Sequence, residues 1–392
     1  MGFIDTDAHV LECEATWDYL DPSERKYRPV KMEVESPNGG RPKQIYLIGD
    51  MLCRRFPTDG RGAGYGFEYS ADITHLENPA ARVEKMNALG VDAQIVISTN
   101  FIAAQLEDPY AEAAIMRSWN RWMAERTHGY TDRLRWVMVC PTRTPERAGE
   151  EMEWCAKHGA AGVMIKGVDH GYDLSSPYFY PIYERAQDLD LTIVVHQGGA
   201  RDHIELLGIT SVPAATGDWL RGIRDPMRGF ASVIGSDLNK RFPRLRFAFV
   251  ESGAAWVPYV LLLKQRNRAL IDPGSFVQWP DGPTRHVPHL DFAAEMEAHR
   301  MFVSGELDED LDYLAAKLGP NCIMIGTDMC HNDNGTNLQA HTQLMARTDI
   351  GEDLKRRMVD DNGRAAFAIP KDFRPTDKLS AEERKKIALA VI

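Results

Sequence analysis

Several large functional classes are excluded by what this sequence lacks. Its six cysteines (Cys13, Cys53, Cys140, Cys155, Cys322, Cys330) are scattered over 392 residues without a Cys-x-x-Cys pair. That spacing fits neither a disulfide framework nor a structural zinc site and is expected of a reduced, intracellular chain. No basic stretch followed by an apolar run marks the N-terminus, so no signal peptide is expected. No apolar run approaches the ~20 residues that span a bilayer, so no membrane contact is expected and the cytoplasm is the default location. Positive charge is in deficit: 46 Lys and Arg stand against 57 Asp and Glu, a net charge of −11. A phosphate backbone needs a basic face, so nucleic acid is not an expected partner. No Gly-x-Gly-x-x-Gly follows the first strand-like run, and no Gly-x-x-x-x-Gly-Lys-Ser/Thr loop is present. Dinucleotide-binding and phosphate-loop chemistry lose their usual signatures.

What remains is a chain with 44% apolar residues, enough for a large core, and a repeated pattern of short apolar runs followed by helical segments. Strand-like runs begin at Phe3 and recur at 93–97, 134–139, 162–166, 191–195, 245–250, 301–303 and 322–325. Helix starts between them are marked by Asn78-Pro79, Asp108-Pro109, Thr144-Pro145-Glu146 and Ser176-Pro177. Eight buried strands alternating with helices imply an α/β protein with a parallel sheet closed into a (β/α)8 TIM-type barrel. Long insertions are expected after strands one, five and six. Residues 20–78, rich in Pro, Gly and Arg, read as irregular and as a candidate lid. A second insertion covers about 270–300. The barrel is expected over 1–370, with a peripheral charged tail at 371–392.

In such a barrel, chemistry gathers at the carboxyl ends of the strands. Strand one carries Asp7 and His9, two residues apart and therefore on one face. Strand four ends in Lys166, strand five in His196, strand six in Glu251, and strand eight leads to Asp328 and then His331. Carboxylate and imidazole ligands suit a divalent ion such as zinc, and Asp7, His9 and His196 can hold one while leaving positions for water and substrate. Asp328 can ligate the ion and accept a proton, and Glu251 is a second acid-base candidate. His331 either orients Asp328 or the substrate, or is a solvated loop residue. Lys166 has three readings: carboxylated to bridge two metals, in contact with a substrate carboxylate, or paired with a rim acid. Arg54 and Arg61, with Arg55 and Arg201, are candidates to clamp an anionic substrate bidentately. His286 and His289 fall in the second insertion and are weaker candidates.

These residues resemble the amidohydrolase superfamily. More narrowly they resemble its branch of aminocarboxymuconate semialdehyde decarboxylase and nonoxidative aromatic-acid decarboxylases. The resemblance spans about 3–368. It is carried by Ile4-Asp5-Thr6-Asp7-Ala8-His9, Asn78-Pro79-Ala80-Ala81-Arg82 through Leu89-Gly90-Val91-Asp92, Val195-His196, Val250-Glu251-Ser252-Gly253, Gly326-Thr327-Asp328 with His331, and Asn362-Gly363-Arg364-Ala365-Ala366. It implies a distorted barrel, one divalent metal (commonly Zn2+, sometimes Mn2+) held by Asp7, His9, His196 and Asp328, and a homodimer or larger homo-oligomer. Two departures stand out. The first-strand motif of the branch is often His-x-His or Glu-x-His, where this chain has Asp7-Ala8-His9. Its decarboxylases usually carry a histidine after strand six, where this chain has Glu251. The second departure moves the expected reaction toward hydrolysis of a small carboxylated or ring-containing molecule by metal-activated water. Nonoxidative decarboxylation of an aromatic or related unsaturated acid is the alternative, and a catalytically inactive metal- or ligand-binding protein the third reading.

Overall fold

The computed structural model describes residues 2–34, 43–49, 51–53, 69–102, 104–198, 220, 222–271, 276–279, 282–285, 289–331 and 335–375. Eight parallel strands form one sheet: β1 (Phe3–Val10), β2 (Val91–Ser98), β3 (Leu134–Val139), β4 (Ala160–Met164), β5 (Thr192–His196), β6 (Phe247–Val250), β7 (Met301–Ser304) and β8 (Ile323–Met324). Their order in the sheet is their order in the chain, as the expected barrel requires.

Closure runs from β8 back to β1. The Thr6 amide and hydroxyl both donate to the Ile325 carbonyl, at 3.3 and 3.0 Å. Beyond that point the Asp328 amide donates to Asp7 O at 2.9 Å and the His9 amide to Met329 O at 2.8 Å. The last seam of the barrel is therefore the place where two functional segments meet. Gly326 permits that approach, because a Cβ there would collide with the Asp7 Cβ.

Strands covered on both faces read as continuous apolar runs rather than alternations. Ile193, Val194 and Val195 of β5 are all fully buried, as are Phe249 and Val250 of β6. The connecting helices obey their sequence signals. Asp108 Oδ1 accepts the amide of Tyr110 at 2.8 Å at the start of the helix Pro109–Arg126. The helix Pro79–Leu89 stops at Gly90, whose φ of 75° is left-handed. Trp119 packs edge-on against Trp122 and Trp136, at 6.2 and 6.1 Å between ring centroids, tying a helix to β3.

Residues 20–78 differ from the irregular reading. They hold a 3-10 helix (Pro22–Tyr27), a three-stranded antiparallel sheet (Val30–Val34, Lys43–Ile48, Met51–Cys53) and a short helix (Ala71–Thr74). The strands are short, and Pro and Gly between them break up any period-two pattern, so pairing rather than local sequence makes the sheet. Ile48 anchors it to the core. In the second insertion, Phe276–Trp279 pairs antiparallel with Gly282–Arg285, and a regular helix, Phe292–Ala298, follows. No helix among the described residues is long and apolar enough to cross a membrane.

Candidate metal centre

Six of the residues singled out in the sequence come together in one buried cluster: Asp7, His9, His196, Glu251, Asp328 and His331, each between 0 and 6% exposed. They arrive from β1, β5, the turn after β6 and the turn after β8. His9 Nε2 is the hub. It lies 3.3 Å from Asp7 Oδ1, 3.3 Å from Asp328 Oδ1 and 3.1 Å from His196 Nε2. His196 Nε2 in turn lies 2.9 Å from Glu251 Oε2 and 3.6 Å from Asp7 Oδ1. His331 Nδ1 is 2.7 Å from Asp328 Oδ1.

The backbone is strained where these side chains are presented. Glu251, Asp328 and Cys330 have φ of 53°, 50° and 83°. Left-handed conformations at non-glycine residues cost energy and concentrate at functional sites. The strain turns the chain sharply at the strand ends, and Glu251 and Asp328 face into the cluster.

Hydrogen bonding sets the imidazole orientations. His196 Nδ1 lies 2.7 Å from the Gln197 carbonyl, which only accepts, so Nδ1 carries a proton. The neutral ring then offers the Nε2 lone pair to the cluster, as a metal-binding histidine must. The His9 ring is fixed by stacking on His331, with centroids 3.6 Å apart and planes 16° from parallel. Its Nδ1 has no hydrogen-bond partner among the described residues.

The donor set fits a cation. Asp7 Oδ1 is buried without a hydrogen-bond partner among the described residues. A buried carboxylate oxygen in that position is expensive unless a positive charge faces it. Two overlapping sets have all their ligand atoms within 4.8 Å of one another: Asp7, His9, His196 and Glu251, and His9, Glu251, Asp328 and His331. The expected foursome of Asp7, His9, His196 and Asp328 straddles the two.

Electrostatics follow from this crowding. Burial alone would lower the His196 pKa, but the Glu251 and Asp7 carboxylates beside it win and lift it to about 10. Burial would raise Asp7, yet His196 and His9 hold it below the usual carboxylate range. In protein stripped of cations, His196 is thus an imidazolium near neutral pH and occupies the charge position of a metal. Its folded pKa lies above the ordinary 6.5, so this pairing stabilises the fold fully below pH 6.5 and is lost as pH rises through about 10. Loading a divalent ion must expel that proton. Calorimetry in buffers of differing ionisation enthalpy should find about one proton released per ion near neutral pH. No release would mean that His196 is already neutral.

Four residues near this cluster were not singled out from the sequence. Thr99, just past β2, places Oγ1 3.0 Å from His331 Nε2. Thr336 Oγ1 donates to Asp328 Oδ2 at 2.7 Å. The Gln197 side-chain amide donates to Glu251 Oε1. Glu306, two residues past β7, is pushed up to about 8 by burial and by the charges of Asp7, Glu251, Glu309 and Asp308. Thr99 and Gln197 directly follow barrel strands and Glu306 comes two residues after one, and that position is the available signal. His331 is 2% exposed, with Nε2 3.0 Å from Thr99 Oγ1 and Nδ1 2.7 Å from Asp328 Oδ1, so the solvated-loop alternative does not hold. Lys166 is 8% exposed and makes no hydrogen bond or ion pair among the described residues, which removes a rim-acid partner within them. His289 is exposed. Arg54, Arg61, Arg55, Arg201 and His286 lie outside the described residues.

Known proteins place this architecture. The amidohydrolase family Amidohydro_2 matches residues 4–369. A 2-amino-3-carboxymuconate-6-semialdehyde decarboxylase of Dictyostelium discoideum is 21% identical over 253 residues, 64% of this chain and 66% of that protein. A gamma-resorcylate decarboxylase of Polaromonas sp. strain JS666 is 27% identical over 194 residues, 45% of this chain and 56% of that protein. The matches thus span under two thirds of each curated relative. In fold, the chain is similar to a crystal structure of a dihydroxybenzoic acid decarboxylase from Polaromonas sp. JS666 with bound manganese and the inhibitor 2-nitroresorcinol. The TM-score is 0.61 at 16% identity, covering 94% of this chain and 97% of that one. From the match over nearly the whole barrel and the four strand ends that build its site, this chain belongs to the amidohydrolase family.

Proposed function

We propose that this chain is a metal-dependent, nonoxidative decarboxylase of a small aromatic or related unsaturated acid. The observation that carries the reading is the placement of two buried carboxylates, Glu251 and Asp328, around the His9–His196 pair. One of them, Asp328, is linked through His331 to Thr99. Both curated relatives are decarboxylases, which favours this reaction over the hydrolysis that the Glu251 departure put first.

His9, His196 and the surrounding carboxylates would hold a divalent ion, zinc or manganese, which would supply Lewis acidity to the reaction. The residues do the rest. Asp328 holds the transferable proton, with Oδ2 fixed by Thr336 and Oδ1 against His331. As the carbon–carboxylate bond breaks, its electron pair stays on carbon and takes that proton, and carbon dioxide leaves. After the product leaves, His331, oriented by the Thr99 hydroxyl, takes up a proton from solvent and passes it to Asp328. Glu251, gripped by Gln197, faces His196. Burial of the whole cluster keeps water from competing for the proton. Lys166, with no protein partner among the described residues, is proposed to meet a substrate carboxylate. The assembly is proposed to be a homo-oligomer.

Hydrolysis is the second reading, favoured by the glutamate after β6 where the decarboxylases usually have histidine. A screen of aromatic and unsaturated acids separates the two. Decarboxylation predicts carbon dioxide release without oxygen consumption and one solvent deuterium on the product carbon in heavy water. Incorporation of labelled water oxygen without carbon dioxide release would instead establish hydrolysis.

A further inference from the structure

Beneath the cluster lies a buried cation that neither reading uses. Arg82, in the helix Pro79–Leu89, is fully buried. It forms no ion pair among the described residues. Its Nη1 lies 2.7 Å from the carbonyl of His9, 3.2 Å from Ile73 O and 3.3 Å from Cys330 Sγ. Its Nε donates to Gln94 Oε1 at 2.9 Å. Gln94 Nε2 then donates to Asp5 Oδ2 at 2.8 Å, and Asp5 accepts the Thr327 amide at 2.8 Å and the Thr327 hydroxyl at 2.6 Å.

One guanidinium therefore ties together both segments that carry the cluster. It touches β1 at the hub residue itself, and it touches the turn after β8 at Cys330, between Asp328 and His331. Through Gln94 and Asp5 it also fixes Thr327, the residue before Asp328. Burying an arginine opposite carbonyls and a thiol is costly, and a merely structural helix-to-sheet contact is made more cheaply by an apolar side chain. The turn it grips is strained at Asp328 and Cys330 and needs an external hold to keep its shape. A planar fork with several fixed donor directions can bind these groups at once, whereas a lysine ammonium on a flexible stem cannot reproduce the fork.

We propose that Arg82 is a positioning residue that sets the spacing between His9 on β1 and the Asp328–His331 turn, and thereby the metal affinity and coordination geometry of the site. The inference rests on the metal reading above. The test uses cobalt(II) alone as probe, with affinity from chelator competition and geometry from visible absorption. Circular dichroism and thermal melting are run alongside. Arg82→Lys and Gln94→Leu should each fold, lose affinity by about 10–100-fold and show altered cobalt bands, as groups that orient ligands do. Met152→Ala, which opens the core on an outer helix and lowers Tm, should leave affinity and bands unchanged. If Arg82→Lys fails to fold, Gln94→Leu decides. Variants that melt earlier but bind cobalt with wild-type affinity and spectrum would overturn the proposal and leave Arg82 a structural residue. No cobalt uptake by the wild type would overturn the metal reading, and this inference with it.

Discussion

Replacing His9 by alanine will empty the metal site. His9 belongs to both sets of convergent ligand atoms, and its Nε2 lies within 3.3 Å of Asp7, Asp328 and His196. Alanine removes one of the two donors that both sets share, the other being Glu251, and the only imidazole common to them. Loss of supporting groups around a metal ligand already costs about 10–100-fold in affinity, so loss of the ligand itself should exceed that range. Elemental analysis of the purified protein should find about one equivalent of zinc or manganese in the wild type, and a residue near background in His9→Ala. His196→Ala should lose most metal as well, and full retention there would sink its assignment as a ligand. Two milder variants then choose between the overlapping sets. Asp7→Asn should weaken binding far more than His331→Ala if the ion sits in the His196 set, and the order reverses if it sits in the Asp328 set.

The parts of this site that are legible in the sequence share one property: each lies on or within a few residues of an apolar, strand-like run. Asp7, His9, His196, Glu251 and Asp328 were readable because strand ends in an alternating β/α chain converge whatever the loops do. The same rule would have reached Thr99, Gln197 and Glu306, but a threonine, a glutamine and one acid within Glu306-Leu307-Asp308-Glu309-Asp310 are unremarkable as residue types. Their significance is a matter of neighbours. Glu306 becomes unusual only because folding half-buries it near the charges of Asp7, Glu251, Glu309 and Asp308. Glu251 is read from the sequence as an acid-base group alone. Its 2.9 Å approach to His196 makes it a candidate ligand as well as an acid-base group, a consequence of the left-handed turn at its own backbone. The antiparallel sheet within 20–78 was hidden for a different reason, since its short strands are specified by pairing across long loops rather than by any local run. In the sequence Arg82 is one residue of the Asn78-Pro79-Ala80-Ala81-Arg82 motif, and its reach to His9, Gln94 and Cys330 is invisible without the fold.

Asp328→Asn should cut turnover by about 10²–10⁴-fold while leaving the fold intact, and it separates proton delivery from binding. Asparagine keeps the shape and can still accept the Thr336 hydroxyl, so the turn should survive. What it cannot do is carry a proton between His331 and the substrate carbon. General acid-base groups contribute about 10²–10⁴-fold, so kcat at saturating metal and substrate should fall into that range or below it. KM should move much less, because substrate anchoring falls to other groups. Saturating metal matters, since Asp328 Oδ1 also belongs to one of the two candidate ligand sets. Glu251→Gln provides the counter-test. Its carboxylate is committed to His196 and Gln197, so its loss should disturb metal affinity and the charge on His196 more than the chemical step. If Glu251→Gln instead loses more in kcat than Asp328→Asn under the same conditions, the proton reaches carbon from the turn after β6. The roles of the two carboxylates then exchange, and Glu251 would fill the catalytic position that the related decarboxylases usually give to histidine.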